Sequence, residues 1–388
     1  MKAHTLSLHS IAALFIVGLS AQAAAPSKDD KPDAAPETAR IQKMQKPKVE
    51  VIFVLDTTGS MSGLIEGAKQ KIWSIANDII SAKPKPEVRF GLVGYRDRGD
   101  AYVTKRADLT DDLDKIHAHL HEFKANGGGD TPESVSEALH EAIVKMPWSE
   151  EGNVLRVIYL VGDAPPQQYQ DGKDWKKVCQ KAQAKGIHIN TIQCGNIAGT
   201  AEVWKAIATR SEGAYALIPQ DGNMVAIDAP QDKELSELNV EIGKTLIPCG
   251  SKNQRQEVTS KQIAAESAKP ADNASRLSYN WKSEKTVQGS GELIDSLKEG
   301  KMKLDEVSKD QLPEELSKLS ESELKAHVEE QQAKRADLQS RVATLVKERD
   351  AYVQMERKKM ATSGQTDSFD EQVSRSLHEQ AAKHGIAW

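Results

Sequence analysis

Three short segments carry the residues best suited to chemistry. The first, Asp56-Thr57-Thr58-Gly59-Ser60-Met61-Ser62, sets a carboxylate and two hydroxyls at alternate positions. Hard oxygen donors of this kind suit Mg²⁺ or Ca²⁺ rather than zinc. Asp, Thr and Ser are equally ordinary helix N-cap residues, so this segment alone decides nothing. The second, Gly127-Gly128-Gly129-Asp130-Thr131-Pro132-Glu133, adds Thr131 in a glycine-permitted loop before a helical pattern. The third, Leu160-Val161-Gly162-Asp163-Ala164-Pro165-Pro166, ends an apolar run with a carboxylate.

These segments matter together only if the fold gathers them. Val49 to Leu55 and Val154 to Val161 are nearly continuous apolar runs, as expected of strands buried on both faces. Further strands are expected at 88–95, 187–193 and 214–218, with Tyr102 to Ala107 pairing alongside. Helical patterns lie between them, at 64–80, 111–124, 133–146, 173–185, 200–210 and 232–246. This alternation predicts an α/β fold, doubly wound, with a mostly parallel sheet flanked by helices. In such a sheet the strand tips share one edge, where ligands bind. Asp56, Thr58, Ser60, Thr131 and Asp163 would then face one point.

The expected division is a signal peptide at 1–25, a flexible leader at 26–47, the α/β domain at 48–248, a linker and ill-defined segment at 249–313 and a helical tail at 314–388. Lys2, the apolar run Ile11 to Leu19 and the small residues from Ser20 to Ala25 read as an export signal cut after Ala23 or Ala25. The run falls well short of the ~20 apolar residues that span a bilayer. The protein is therefore expected to be exported without a membrane span: periplasmic, or secreted where the host lacks an outer membrane. In the tail, Leu324, Val328, Leu338, Val342, Leu345 and Tyr352 recur at steps of three and four, with Gln331, Arg335 and Arg349 as polar breaks. That is the stripe of a partly coiled-coil region able to join copies, or of one amphipathic helix docked on the domain.

Composition removes several classes. The 388 residues include 52 Lys and Arg against 57 Asp and Glu, and aromatics make up only 5%. A net charge of −5 with few stacking side chains argues against a nucleic-acid partner. Cys179, Cys194 and Cys249 are too few for a disulfide scaffold, and their pairing is open. No phosphate-binding G-x-x-x-x-G-K-[ST] and no G-x-S-x-G elbow occurs. His117 and His121, one helical turn apart, Arg98-Gly99-Asp100 and the sequon Asn273-Ala274-Ser275 are weaker signals, each also readable as ordinary surface sequence.

The three segments, in this order, resemble a von Willebrand factor A-type domain with a metal-ion-dependent adhesion site. Asp56, Thr58 and Ser60 match the family's D-x-S-x-S, with Thr58 where Ser is commonest. Thr131 matches its second-loop threonine and Asp163 its third-loop aspartate. The resemblance spans about 200 residues. It implies an octahedral Mg²⁺ (or Mn²⁺/Ca²⁺) site with one exchangeable position, which a partner protein's Asp or Glu takes. It implies a binding module rather than an enzyme. The alternatives are a metal-assisted hydrolase and a structural protein that assembles through its tail.

Overall fold

The computed structural model describes residues 46–129, 132–364 and 367–388. The expected signal peptide, nearly all of the leader and the site candidate Thr131 lie outside the described residues. From the N-terminal side run β1 (Lys48–Asp56), α1 (Ser62–Ile80), β2 (Glu87–Tyr95), β3 (Thr104–Thr110), α2 (Leu113–Glu122) and α3 (Val135–His140), whose last turn widens over Glu141–Lys145. Then come β4 (Val154–Gly162), α4 (Trp175–Ala184), β5 (Ile187–Cys194), α5 (Thr200–Arg210), β6 (Tyr215–Ile218) and α6 (Asp232–Gly243).

The six strands are ordered β3-β2-β1-β4-β5-β6, all parallel except β3, which runs antiparallel to β2. The chain steps from β1 to one side through β2 and β3, then crosses back to β4 on the other side. The reversal point of the sheet is therefore the β1–β4 pair, where ligands of open α/β sheets bind. Alternation along the central strands sends Val51, Phe53 and Leu55 to one face with α1 and α2, and Ile52 and Val54 to the other with α3, α4 and α5. Both faces are buried, which is why these strands read as unbroken apolar runs.

The region after α6 departs from expectation. Where a polar linker and ill-defined segment are read at 249–313, the chain forms α7 (Lys252–Glu266), α8 (Pro270–Lys282) and α9 (Leu293–Lys298). α7 buries only Val258, Gln262 and Ala265, so its apolar periodicity is faint. Its start is nonetheless written locally, in a capping box in which Ser251 and Gln254 bond each other's backbone, and α8 begins at Pro270. After a single turn at Glu314–Ser317 comes α10 (Glu321–Thr362), 42 residues long and capped by Ser320 and Glu323. Its stripe of Val342 and Val346 packs on Leu235, Leu238 and Ile242 of α6 and on Ala274 and Leu277 of α8. Near its start Leu324 and Val328 pack with Ile247, Cys249 and Leu293. Of the two readings of the heptad stripe, the docked helix is the one observed.

The last helix, α11 (Ser368–Ala382), closes the sheet face beside α1. Phe369, Val373, Leu377 and Ala381 join the core of β1 and β4, and the Tyr159 hydroxyl donates to the Val373 carbonyl at 2.9 Å. Asn190 on β5 and Gln380 exchange amide hydrogen bonds at 2.9 and 3.1 Å while fully buried. Residues 46–388 form one compact unit, so the C-terminal helices complete the α/β core. Gln380→Ala leaves the buried Asn190 amide without that partner and is expected to cost about 1–3 kcal/mol. The check is urea unfolding followed by tryptophan fluorescence.

Candidate functional site

The register of the central strands builds the site. Leu55 lies opposite Val161, and Asp56 lies opposite Tyr95 of β2. Asp56 therefore ends β1 beside Gly162, with Asp163 one residue further on the neighbouring tip. A Cβ on Gly162 would stand 2.3 Å from the Tyr95 hydroxyl and 3.0 Å from Asp56 Cβ. Only glycine allows the two tips to approach this closely.

Asp56 is completely buried. Its Oδ1 accepts from the Thr58 amide at 2.9 Å and from the Thr58 hydroxyl at 2.6 Å. The Thr58 hydroxyl lies 3.3 Å from that of Ser60, which is exposed. Oδ2 of Asp56 is buried and has no hydrogen-bond partner. Asp163 accepts at Oδ2 from Gln220 at 2.8 Å, and its backbone carbonyl accepts from Thr200 at 3.0 Å. The first loop is tied to the second by Gly59 N–H to the Gly127 carbonyl at 3.2 Å and by Asn126 N–H to the Thr57 carbonyl at 3.2 Å. Glu133 joins the second to the third, donating to the Pro165 carbonyl at 3.0 Å and accepting from Gln167 at 2.7 Å. The structure thus brings Asp56, Thr58, Ser60 and Asp163 to one edge, and holds the described flanks of the segment that carries Thr131 against both.

Burial pushes the Asp56 carboxyl up to about 7, with the nearby Asp163 charge adding to the rise against the Thr58 hydrogen bonds. Burial raises Glu133 to about 8, reinforced by Asp56, Asp97, Asp100 and Asp163. Such crowding is costly for the bare acids and is relieved by a cation. The donors are carboxylates and hydroxyls, a buried carboxylate oxygen lacks a partner, and the set therefore fits a hard divalent ion.

Residues 50–222 match the von Willebrand factor A domain. This part of the chain is a von Willebrand factor A domain. Among the relatives, human hemicentin-1 is 28% identical over 47% of this chain and 3% of its own length. Human von Willebrand factor A domain-containing protein 7 is 29% identical over 43% of this chain and 19% of its own. The chain thus spans a fifth or less of those curated relatives. A mussel byssus protein, proximal thread matrix protein 1 with zinc-occupied MIDAS motif, is 17% identical over 45% of this chain and 43% of that one, at a TM-score of 0.36. Domains of this family bind protein partners in the main.

Within the von Willebrand factor A domain and beyond it, the weaker signals find structural roles. Arg98 bonds Asp171 at 2.7 Å and stacks on Tyr169, and Asp100 accepts from the Gly128 amide at 3.3 Å, so that tripeptide braces loops. Asn273 of the sequon is buried and bonds Ser236. The three cysteines are free and buried; Cys179 belongs to the core of one sheet face and Cys194 to that of the other. No described helix is long and apolar enough to cross a membrane. Sequence reasoning missed Glu133 and Gln220 as parts of the site. Gln220 follows the tip of β6, and that position alone assigns it to the ligand edge.

His117 and His121 face each other with Nε2 atoms 3.2 Å apart, and His117 packs against Trp73. Among the described residues no three His, Cys, Asp or Glu side chains stand together as a metal-binding group. Burial lowers His117 to about 4, with His121 adding to the effect and Arg276 joining it against Asp114. A histidine held neutral in the fold stabilises fully above its unfolded value of ~6.5, and that contribution is lost as pH falls toward 4. His117→Leu should therefore lose less stability than wild type between pH 7 and 4.5, by about 1–3 kcal/mol. Urea midpoints at both pH values give the comparison.

Proposed function

We propose that the chain is an exported, metal-dependent protein-binding module of the cell envelope. Asp56, Thr58, Ser60, Thr131 and Asp163 would hold Mg²⁺ (or Mn²⁺/Ca²⁺), directly or through water. The bound cation supplies a Lewis-acidic position for an Asp or Glu of a partner protein. The observation that carries this reading is the fully buried, unpartnered Oδ2 of Asp56 at the reversal point of the sheet. A buried ionisable oxygen without a partner is costly, and it is tolerated where a ligand completes it. Thr58 and Ser60 present hydroxyls beside it, and Gln220 orients Asp163. The site offers hydroxyls and acids for holding an ion. Its acids face that ion, so none is assigned as a general base and the module is read as non-catalytic.

The module is expected to retain a partner from envelope extract in Mg²⁺ and to release it in EDTA. Retention that ignores EDTA would move binding away from the three loops. The export signal is tested separately, by the N-terminal residue of the mature chain.

A further inference from the structure

The acids around the candidate site are not equivalent. Asp97 is satisfied at both oxygens, by the Ser134 hydroxyl at 2.7 Å and the Tyr169 hydroxyl at 2.6 Å. Asp100 accepts from the Gly128 and Asp97 amides. Asp163 accepts from Gln220. Of the acids at these three loops, Asp56 and Glu133 keep a buried oxygen without a partner, Oδ2 and Oε2 respectively. Glu133 is only 3% exposed. No residue of the metal motif requires it, and the sequence pattern leaves it unassigned.

Gly128 locates Glu133 relative to the motif. A Cβ on Gly128 would stand 3.1 Å from Thr58 Cβ and 3.7 Å from Glu133 Oε1. The Thr58 side chain and the Glu133 carboxyl therefore flank one glycine whose missing side chain leaves the gap between them open. Gly128 also has φ +79°, which an L side chain adopts only under strain. The backbone of Glu133 is fixed to the Asp163 loop at Pro165 and Gln167, which places its carboxyl at this gap.

We propose that Glu133 is an additional, water-bridged carboxylate of the metal site, and that it sets the site's preference between cation and anionic ligand. This rests on the metal-site reading above. Glu133 stands across Gly128 from Thr58 while Asp56 and Asp163 hold the strand tips, which assigns Glu133 to the waters that a small divalent ion retains. By accepting a hydrogen bond from such a water, Glu133 strengthens cation binding, as groups beyond the direct ligands do. Its charge acts oppositely on a carboxylate arriving at the exchangeable position. Asp56, Asp163 and Glu133 together outweigh a divalent cation, so an incoming anion meets net negative charge. Glu133 thus favours the loaded, partner-free state and keeps a weak carboxylate from occupying the ion.

The test uses the full mature chain, with Mn²⁺ alone and then acetate as the carboxylate probe. Glu133→Gln should raise the Mn²⁺ Kd by tenfold or more in calorimetry, within the ~10–100-fold range for such groups. In the Mn²⁺-saturated protein it should tighten acetate binding, read by water-proton relaxation. Glu133→Asp should restore part of the Mn²⁺ affinity. Unfolding in EDTA checks that each variant is folded, and Glu133→Gln should melt no lower than wild type because it removes an unpartnered buried acid. Asp56→Asn runs beside them. If Asp56→Asn abolishes Mn²⁺ binding while Glu133→Gln leaves it unchanged, the role of Glu133 is overturned and the site stands. If both bind as wild type, the metal-site reading itself fails. Weakened Mn²⁺ binding without tighter acetate binding would overturn the ligand-preference half.

Discussion

Asp56→Asn is expected to erase the stabilisation that a divalent cation confers. A ligand that binds only the folded chain stabilises by RT ln(1 + [L]/Kd), about 2.7 kcal/mol at a hundredfold excess over Kd. Removing the central charge should weaken the ion by about a hundredfold or more, at least the upper end of what supporting groups cost. At the same cation concentration the gain then falls to about 0.4 kcal/mol. The direction in EDTA is opposite. The wild-type carboxylate is wholly buried, one oxygen has no partner and Asp163 adds repulsion. The amide carries no charge to desolvate, so the variant should unfold no earlier than wild type without metal. Thermal unfolding in Mn²⁺ and in EDTA tests both halves. A variant that keeps the wild-type metal shift would remove Asp56 from the site. The same variant should release any partner held in Mg²⁺.

Much of this site was legible because it depends on local, order-preserving features. Val51 to Leu55 and Val157 to Val161 are buried on both faces, so their apolar runs betray central parallel strands. Once they are neighbours, Asp56 and Asp163 must share an edge. The contributions of Gln220 and Glu133 were harder to read. Gln220 reaches Asp163 across 57 positions, and only the β5–β6 pairing brings it there. Glu133 looks like an ordinary acid before a helix until its carboxyl is seen buried without a partner.

The C-terminal half was least legible for a related reason. Its helices are polar in composition, and α10 contacts its neighbours through charged side chains as well as apolar ones. Arg335 and Arg349 interrupt the heptad stripe and read as breaks, yet both are buried in ion pairs. Arg349 bonds Asp232 at the start of α6 at 2.5 Å, and Arg276 of α8 grips Asp114 of α2 at 2.6 and 2.8 Å. Lys71 of α1 pairs with Asp367, which caps α11, and with Asp370 in its first turn. Periodicity scores apolar residues, so a face sealed by paired charges leaves a weak trace. It also hides the fact that α11 belongs to the core of a sheet formed some two hundred residues earlier.

Arg335 makes more hydrogen bonds than Arg349 or Arg276, and Arg335→Met is expected to destabilise the fold by about 3–5 kcal/mol. Arg335 is 3% exposed. It donates to both oxygens of Glu292 at 2.9 and 3.0 Å, to Asp295 at 3.3 Å, and to the Thr245 carbonyl and hydroxyl at 2.7 and 3.0 Å. It thus joins the middle of α10 to the chain just after α6 and to the start of α9. Burial raises the Asp295 carboxyl, Glu292 adds to the rise, and Arg335 opposes it. Without Arg335 the two acids face each other with no cation between them. Removing one partner of a buried pair costs far more than replacing the whole group, because the other charge stays desolvated. Arg335→Met combined with Glu292→Gln and Asp295→Asn should therefore recover part of the loss. The pH dependence fixes the sign independently. An acid raised in the fold, as Asp295 is, favours it when protonated, so the deficit of the single variant should shrink from pH 8 to pH 5. Urea unfolding of wild type, single and triple variants at both pH values supplies the comparison. A deficit that is equal at both pH values and is not relieved in the triple variant would mean that Arg335 acts by packing alone.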